Sequence, residues 1–377
     1  MKQTFYAAQL FDGQEFKHNQ CIEVENGEII ALSEGQAEQA QYLLDGLLVP
    51  GFIDVQVNGG GGVLFNNHPT LASLVTMSRA HQVFGTTTML PTLITDGYAT
   101  MSAAANAMQQ AISSGLSGVC GIHFEGPHLS QPKKGIHPQN HIRSISDQEL
   151  ALFTRQDIGK VIVTLAPENV SPDVIRDLVN QGVVVCLGHS NADAQTVEAA
   201  LQAGATGFTH LYNAMSPLTG REAGMVGTAL LNESAYCGLI VDHHHVSDAS
   251  CKLAIKCKGT DKIMLVTDAM SHVGSDQLSE IFSGMEIMRD GDKLTIAGGT
   301  LAGSALDMAS AVRNTHLNLQ IPLAQSLQMA ALSPATFLGL SNHYGQIKPG
   351  YRADWVSLST DLQVNQTWIA GNVVYSA

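Results

Sequence analysis

The feature that most constrains the fold of this chain is a series of eight short apolar segments in its middle. Segments with helical periodicity separate them, and they recur roughly every 20 to 40 residues, a pattern typical of repeated βα units with a parallel sheet. Eight such units predict an α/β fold built as a closed (β/α)₈ barrel of the TIM type. The segments are residues 52–57, 86–90, 119–124, 161–165, 183–187, 207–209, 239–241 and 263–267.

Polar residues stand at or just beyond the ends of these segments. The active site of a (β/α)₈ barrel lies at the carboxyl ends of its strands, so these side chains are predicted to converge on one mouth. The polar residues are Gln56, Asn58, Thr92, Glu125, Glu168, His189, His210, Asp242 and Asp268.

Three of these residues have the chemistry of a metal site. Glu125, His189 and His210 supply one carboxylate and two imidazoles, a set that leaves a coordination position open for water, as in catalytic zinc sites. A single histidine at a strand end is commonly a hydrogen-bonded structural residue, but three ligands at one mouth favour a metal. Asp268 either reaches the water on that metal or caps the helix that follows it.

Composition is compatible with a globular enzyme in the cytoplasm. The chain has 377 residues, 45% of them hydrophobic and 14% charged, and no apolar run reaches the roughly 18 residues of a membrane span. The amino terminus lacks the apolar core of a signal peptide. A net charge of −14 argues against nucleic acid or an anionic membrane as partner. Six scattered cysteines without a CxxC pair predict reduced thiols.

The two ends of the chain have a different pattern from the middle. Short alternating segments flank the turn dipeptides Asn26-Gly27 and Gly371-Asn372. Neither end could bury a core alone, so residues 1–50 and 345–377 are predicted to form one small β-sandwich domain. Residues 51–344 are then predicted to form the barrel.

Several motifs extend this interpretation because together they resemble one family. In order along the chain they are PGFIDVQVNGGGG, HFEGPH, KKGIHP, LAPE, GHSNA, THLYNAM, TGREAG and VTDAM. They resemble those of the N-acetylglucosamine-6-phosphate deacetylases, a family of the amidohydrolase superfamily, and the resemblance extends to GQIKPGYRADWV near the end. It implies a (β/α)₈ barrel with a small β domain from both termini. It also implies metal-dependent hydrolysis of N-acetylglucosamine 6-phosphate to acetate and glucosamine 6-phosphate.

The resemblance also implies roles for single residues. Glu125, His189 and His210 would hold one divalent ion, with zinc expected and Fe²⁺, Co²⁺ or Mn²⁺ as alternatives. Asp268 would act as general base and then as acid, and His137 would polarise the acetamide carbonyl. A homodimer, or a larger assembly of dimers, would place some of these groups in the neighbouring subunit's site. The residues implied to contact sugar and phosphate are Asn213, the backbone of Ala214, Arg221 and His245, the last two possible contributions in trans.

Two positions depart from common superfamily patterns. Where many amidohydrolases carry His-x-His, this chain has Gln56-Val57-Asn58. Neutral amides are poor zinc ligands, so we expect one metal per site, with Gln56 and Asn58 on the substrate side. The run His243-His244-His245 leaves the individual roles of these histidines open.

Arg221 has an alternative role, a surface ion pair with Glu222.

Three functional hypotheses follow. A deacetylase for N-acetylgalactosamine 6-phosphate is the alternative within the family, because that sugar differs at one hydroxyl; a hydrolase for another related amide is a wider one. A non-catalytic scaffold would predict a broken metal set, whereas Glu125, His189, His210 and Asp268 are all present. The metal used and the preferred sugar epimer are not determined by these patterns.

Overall fold

The computed structural model describes residues 2–377, which form a barrel flanked by a second sheet. The chain begins with β1 (Lys2–Phe11), β2 (Phe16–Glu25), β3 (Glu28–Glu34) and β4 (Tyr42–Pro50). The barrel region contains β5 (Phe52–Val57), β6 (Gly59–Gly60), β7 (Val63–Leu64), α1 (Leu71–Gln82), β8 (Thr86–Ile94), α2 (Tyr98–Ser114), β9 (Gly121–Glu125), α3 (Asp147–Phe153), β10 (Lys160–Leu165), α4 (Pro172–Asn180), β11 (Val184–Leu187), α5 (Ala194–Gln202), β12 (Gly207–Phe208), α6 (Gly224–Leu231), β13 (Tyr236–Leu239), α7 (Asp248–Lys258) and β14 (Ile263–Leu265). The remainder contains β15 (Ser279–Phe282), β16 (Met285–Asp290), β17 (Lys293–Thr295), α8 (Met308–Arg313), α9 (Leu323–Ala330), α10 (Leu332–Phe337), β18 (Trp355–Leu358), β19 (Val364–Ile369) and β20 (Asn372–Ser376).

The barrel sheet has eight parallel strands in the order β5, β8, β9, β10, β11, β12, β13, β14. Each of the eight apolar segments contributes one strand, so the predicted (β/α)₈ fold is confirmed. All residues of β5 and β8 are buried, because barrel strands are covered by side chains inside and by helices outside.

Backbone hydrogen bonds close the barrel between β5 and the residues that follow β14. The Asp268 N–H donates to the Gln56 carbonyl at 3.0 Å, and the Asn58 N–H donates to the Ala269 carbonyl at 2.9 Å. We call this junction the seam. It brings Gln56, Asn58 and Asp268 to the same edge of the barrel.

The terminal strands form one mixed sheet in the order β20, β19, β18, β4, β1, β2, β3. Its amino- and carboxyl-terminal parts meet where β18 pairs antiparallel with β4. Two strands separate β1 from β19, yet the Phe5 ring lies 5.2 Å from Trp368 and 5.1 Å from Trp355. The sheet therefore curls over its own core, and both layers of the predicted sandwich belong to one continuous sheet. The domain limits at residues 50 and 345 stay a prediction.

A small antiparallel sheet of β15, β16 and β17 was not predicted. We call it the mouth sheet, because the turn that follows β17 reaches the mouth of the barrel. Phe282, Ile287 and Leu294 pack with Met270 and Ile136 in a core of their own. Its strands are short, and Ile281 and Met288 are exposed, so the sequence lacks a clear alternating pattern here. No helix within residues 2–377 combines the length and the apolar character needed to cross a membrane.

Asp54 is a fully buried carboxylate at the seam. Its Oδ2 accepts a hydrogen bond from Thr267 Oγ1 at 2.5 Å, and its Oδ1 accepts one from the Gln56 N–H at 3.1 Å. Burial raises the pKa of Asp54 to about 7, because these hydrogen bonds offset only part of the lost hydration. The folded protein therefore holds this proton at pH values where the unfolded chain has released it.

We predict that this proton makes stability depend on pH. As pH rises above the unfolded pKa of Asp54, the unfolded state ionises first, so folding stability falls until pH exceeds the folded pKa of about 7. Between about pH 4.5 and about pH 7.5, ionisation of this carboxyl should lower the free energy of unfolding by about 3 kcal/mol. Urea unfolding should show a smaller loss over that interval in Asp54→Asn than in the wild type. Asp173→Asn, at an 87% exposed side chain, should behave as the wild type. Equal slopes for all three proteins would contradict the prediction.

Candidate metal centre and active site

The structure brings Glu125, His189 and His210 together at the carboxyl ends of β9, β11 and β12. All three side chains are buried. Glu125 Oε1 lies 3.3 Å from His189 Nε2 and 3.0 Å from His210 Nε2, and the two Nε2 atoms are 2.9 Å apart. Within residues 2–377 this is the one group of three or more such side chains whose ligand atoms converge in this way.

The donor set fits a divalent metal ion. The Nδ1–H of His189 donates to the Lys133 carbonyl at 2.8 Å, which leaves the lone pair of Nε2 directed at the cluster. Two Nε2 atoms at 2.9 Å approach the separation of about 3.3 Å expected for tetrahedral zinc ligands. A metal between them would replace this direct contact with two coordination bonds.

The backbone is strained at the two candidate histidine ligands and at Asp268. His189, His210 and Asp268 have φ values of +47°, +33° and +53°, the left-handed region that residues other than glycine rarely adopt. Each such residue costs on the order of 1–3 kcal/mol and persists where the surroundings fix it.

Asp268 lies beside the cluster and is held by two amides. Its Oδ1 accepts hydrogen bonds from Gln56 Nε2 at 3.1 Å and from Asn58 Nδ2 at 2.6 Å. Gln56 Nε2 also lies 3.2 Å from Glu125 Oε1 and donates to it. The amide nitrogen of Gln56 therefore faces two carboxylates and cannot serve as a metal ligand. Asp268 Oδ2 accepts no hydrogen bond from residues 2–377.

His137 lies on the other side of the cluster. Its ring centroid is 4.2 Å from that of His189, and its Nε2 is 3.9 Å from Glu125 Oε2. Its Nδ1 is hydrogen-bonded to Thr95 Oγ1 at 2.8 Å. Thr95 follows β8 and thereby fixes the orientation of the His137 ring.

Burial and mutual charge shift the titration of these groups. Burial raises the pKa of Glu125, but the close approach of His189 and His210 outweighs it and holds that pKa well below its usual range. Burial and the charge of Glu125 raise the pKa of Asp268. Burial and the neighbouring His189 hold the pKa of His137 well below its usual value. Burial lowers and the Glu125 carboxylate raises the pKa of His210, and the net shift is upward.

A cavity of 510 Å³ opens over the cluster. Asn58, His137, Asn213, Ala214, His245 and Asp268 line it together with the three candidate ligands. His245 Nδ1 is held by Asp242 Oδ2 at 2.6 Å. His243 and His244 instead face Asp248 and Asp292, each at 2.8 Å. Of the three consecutive histidines, His245 is the one that lines the cavity.

Two predicted site residues do not line this cavity. Gln56 lies behind it, with its amide bridging the two carboxylates described above. Arg221 is exposed and outside it. Its guanidinium has no ion-pair partner within residues 2–377, and Glu222 instead accepts hydrogen bonds from the backbone of Ala194 and Gly224. The alternative ion pair between Arg221 and Glu222 is thus absent.

Three other strand-end residues hold the backbone and do not point into the cavity. Thr92 Oγ1 accepts a hydrogen bond from the Val57 N–H at 2.9 Å, and Glu168 accepts one from Ser190 Oγ at 2.6 Å. Asp242 accepts from the backbone of His244 and His245. The expectation that all the strand-end polar groups converge on the mouth was wrong for these three, because their side-chain oxygens accept hydrogen bonds from neighbouring N–H and O–H groups.

Several residues that line the cavity or support its side chains were missed by sequence reasoning. Thr95 was missed because β8 runs to Ile94, beyond the predicted end at residue 90. Lys133 belongs to the KKGIHP motif, but its place in the wall depends on the fold of that loop. Thr300 and Leu301 line the cavity from the turn after β17, and nothing in the sequence indicates that contact.

Comparison with known proteins agrees with this geometry. The sequence profile of the amidohydrolase family matches residues 47–374. A protein of Shewanella sp. (strain ANA-3) named N-acetylgalactosamine-6-phosphate deacetylase is 51% identical, covering 95% of this chain and 92% of its own. N-acetylglucosamine-6-phosphate deacetylase of Haemophilus influenzae is 36% identical over 92% of both chains. The crystal structure of N-acetylglucosamine-6-phosphate deacetylase from Pasteurella multocida matches with a TM-score of 0.96 and 34% identity, covering 100% of both chains.

The resemblance seen in the motifs is thereby confirmed over nearly the whole length of the sequence. The candidate ligands lie at the strand ends where a barrel places its active site. The chain belongs to the amidohydrolase family.

Proposed function

We propose that this protein hydrolyses the acetamide of an N-acetylated hexosamine 6-phosphate, releasing acetate and the free amino-sugar phosphate. The observation that carries the proposal is the buried set Glu125, His189 and His210 with the open Oδ2 of Asp268 on the same cavity. Relatives with this activity in their names, at 51% and 36% identity over most of the chain, support it.

Two epimers of the sugar are candidates. The motifs predicted the gluco epimer, and relatives named for that substrate match over nearly the full length. The 51% identical relative is named for the galacto epimer, which favours that sugar as a second candidate. Comparing kcat/KM for acetate release from the two phosphosugars decides between them. No acetate release from either would contradict the proposed function.

We infer that one divalent ion, zinc by the chemistry of its donors, is held by Glu125, His189 and His210. When bound, such an ion polarises a carbonyl and lowers the pKa of water toward about 7. The Gln56 amide directs its N–H groups at Glu125 and Asp268, which supports a single ion, because an N–H donor cannot bind a second one. A cytoplasmic location stays a prediction.

The protein's own groups supply the proton transfers. Asp268 would accept the proton of the attacking water at Oδ2, because Oδ1 is occupied by Gln56 and Asn58. It would then return the proton to the leaving nitrogen. His137 would stabilise the charge that develops on the acetyl oxygen through Nε2–H. That role requires Nδ1 to accept a hydrogen bond from the Thr95 hydroxyl at 2.8 Å, which would then release its 3.2 Å hydrogen bond to the Glu125 carbonyl.

We predict about one tightly held divalent ion per chain. His189→Ala and His210→Ala should each lose the ion and the activity, because either change removes one of three ligands. Elemental analysis of the purified variants measures this. His343→Ala, at an exposed histidine, should keep the ion. Two ions per chain that both resist mild chelation and are both needed for turnover would contradict the single-ion site.

We predict that Asp268→Asn separates binding from chemistry. The variant should retain metal and affinity for the phosphosugar, while kcat falls by at least roughly 10²–10⁴, the range for a lost general acid–base group. Metal analysis, binding titration and steady-state kinetics on the same preparation measure this. Near wild-type turnover, or loss of the ion as in His189→Ala, would show that Asp268 has another role.

We propose a dimer in which Arg221 reaches the phosphate bound in the neighbouring subunit. Its exposed guanidinium without an ion-pair partner in residues 2–377 supports a role outside its own chain. Arg221→Ala should lower kcat/KM on the phosphosugar about tenfold to a hundredfold, with a much smaller effect on the unphosphorylated sugar. Mixed dimers of Arg221→Ala with Asp268→Asn should regain activity, because one site then has both residues. Inactivity of verified mixed dimers would exclude the arrangement in trans.

A further inference from the structure

We propose that Lys133 forms an anion subsite of the chain's own cavity, which binds the phosphate of the substrate. This inference rests on the proposed function, since it assumes a phosphorylated sugar. Lys133 lines the cavity and is half-buried. It is the one lysine or arginine among the lining residues within the described chain.

The backbone of Lys133 is fixed relative to the candidate metal centre. Residues 131–133 form a short 3₁₀ turn after Ser130. The Ser130 N–H donates to the His189 carbonyl at 2.9 Å, and the His189 Nδ1–H donates to the Lys133 carbonyl at 2.8 Å. The turn is thus tied to His189 at both ends, so the Lys133 side chain starts from a defined point of the cavity wall.

The carboxylates of the cavity favour a cation beside a bound phosphate. Glu125 and Asp268 both line the cavity, and they repel a phosphate dianion at short range. His245 is already paired with Asp242, whose Oδ2 lies 2.6 Å from its Nδ1. The ammonium group of Lys133 has no carboxylate within ion-pair distance among residues 2–377, so it is free to bind an added anion.

Lys134 provides a matched control. It is the next residue, carries the same charge and is half-buried, but it does not line the cavity. Its Nζ donates to the Gly135 carbonyl at 3.3 Å. A substitution that acted only through net charge would weaken anion binding equally at both positions.

The experiment compares the wild type with Lys133→Gln, Lys133→Arg and Lys134→Gln, all loaded with metal. Calorimetry measures binding of glucosamine 6-phosphate, galactosamine 6-phosphate, inorganic phosphate and unphosphorylated glucosamine. Lys133→Gln should weaken binding of the two phosphosugars and of phosphate about tenfold to a hundredfold. Lys133→Arg should restore most of it, and Lys134→Gln should bind as the wild type. The metal content of every variant should be unchanged, because the Lys133 backbone, not its side chain, contacts His189.

Three outcomes would overturn the subsite: wild-type phosphosugar binding in Lys133→Gln, an equal loss in Lys134→Gln, or an equal loss for unphosphorylated glucosamine. Acetate release by the wild type is measured separately. Absence of release from both acetylated phosphosugars would refute the proposed reaction. The binding of inorganic phosphate would still decide whether Lys133 forms an anion site.

Discussion

Closure of the barrel at the seam is the constraint on which the rest of the structure depends. Hydrogen bonds between Gln56 and Asp268 and between Asn58 and Ala269 join the first strand to the residues after the last one. The same contacts place the Asp268 carboxylate against the amides of Gln56 and Asn58. The fold and the proton-transfer group are therefore set by one set of interactions, since opening the seam would displace both.

Buried charge is concentrated at this junction and is stabilised there by hydrogen bonds. Asp54 and Glu125 are buried carboxylates and Asp268 is half-buried, which is costly unless each is paired or protonated. Asp54 is held by Thr267, and Glu125 by two histidines. These groups oppose folding in part, and the large apolar core around the barrel strands supplies the compensating burial.

Strand ends and loops contribute different groups to the site. Candidate metal ligands stand at the ends of barrel strands, and strained turns hold two of them, His189 and His210. Other parts of the cavity wall come from loops: the turn that carries Lys133, the segment of Asn213 and Ala214, and the turn after the mouth sheet. Such an arrangement allows binding preferences to change through loops while the reacting groups keep their geometry.

The sequence by itself determined the barrel and its candidate metal ligands, because parallel strands give apolar runs and their ends share one mouth. It could not determine which strand-end groups turn inward: Thr92, Glu168 and Asp242 satisfy neighbouring backbone or hydroxyl groups instead. Nor could it place Lys133 or Thr300 in the cavity wall. Those positions depend on loop conformation and on contacts between residues far apart in the chain, which are decided by tertiary packing and leave no periodic pattern in the sequence.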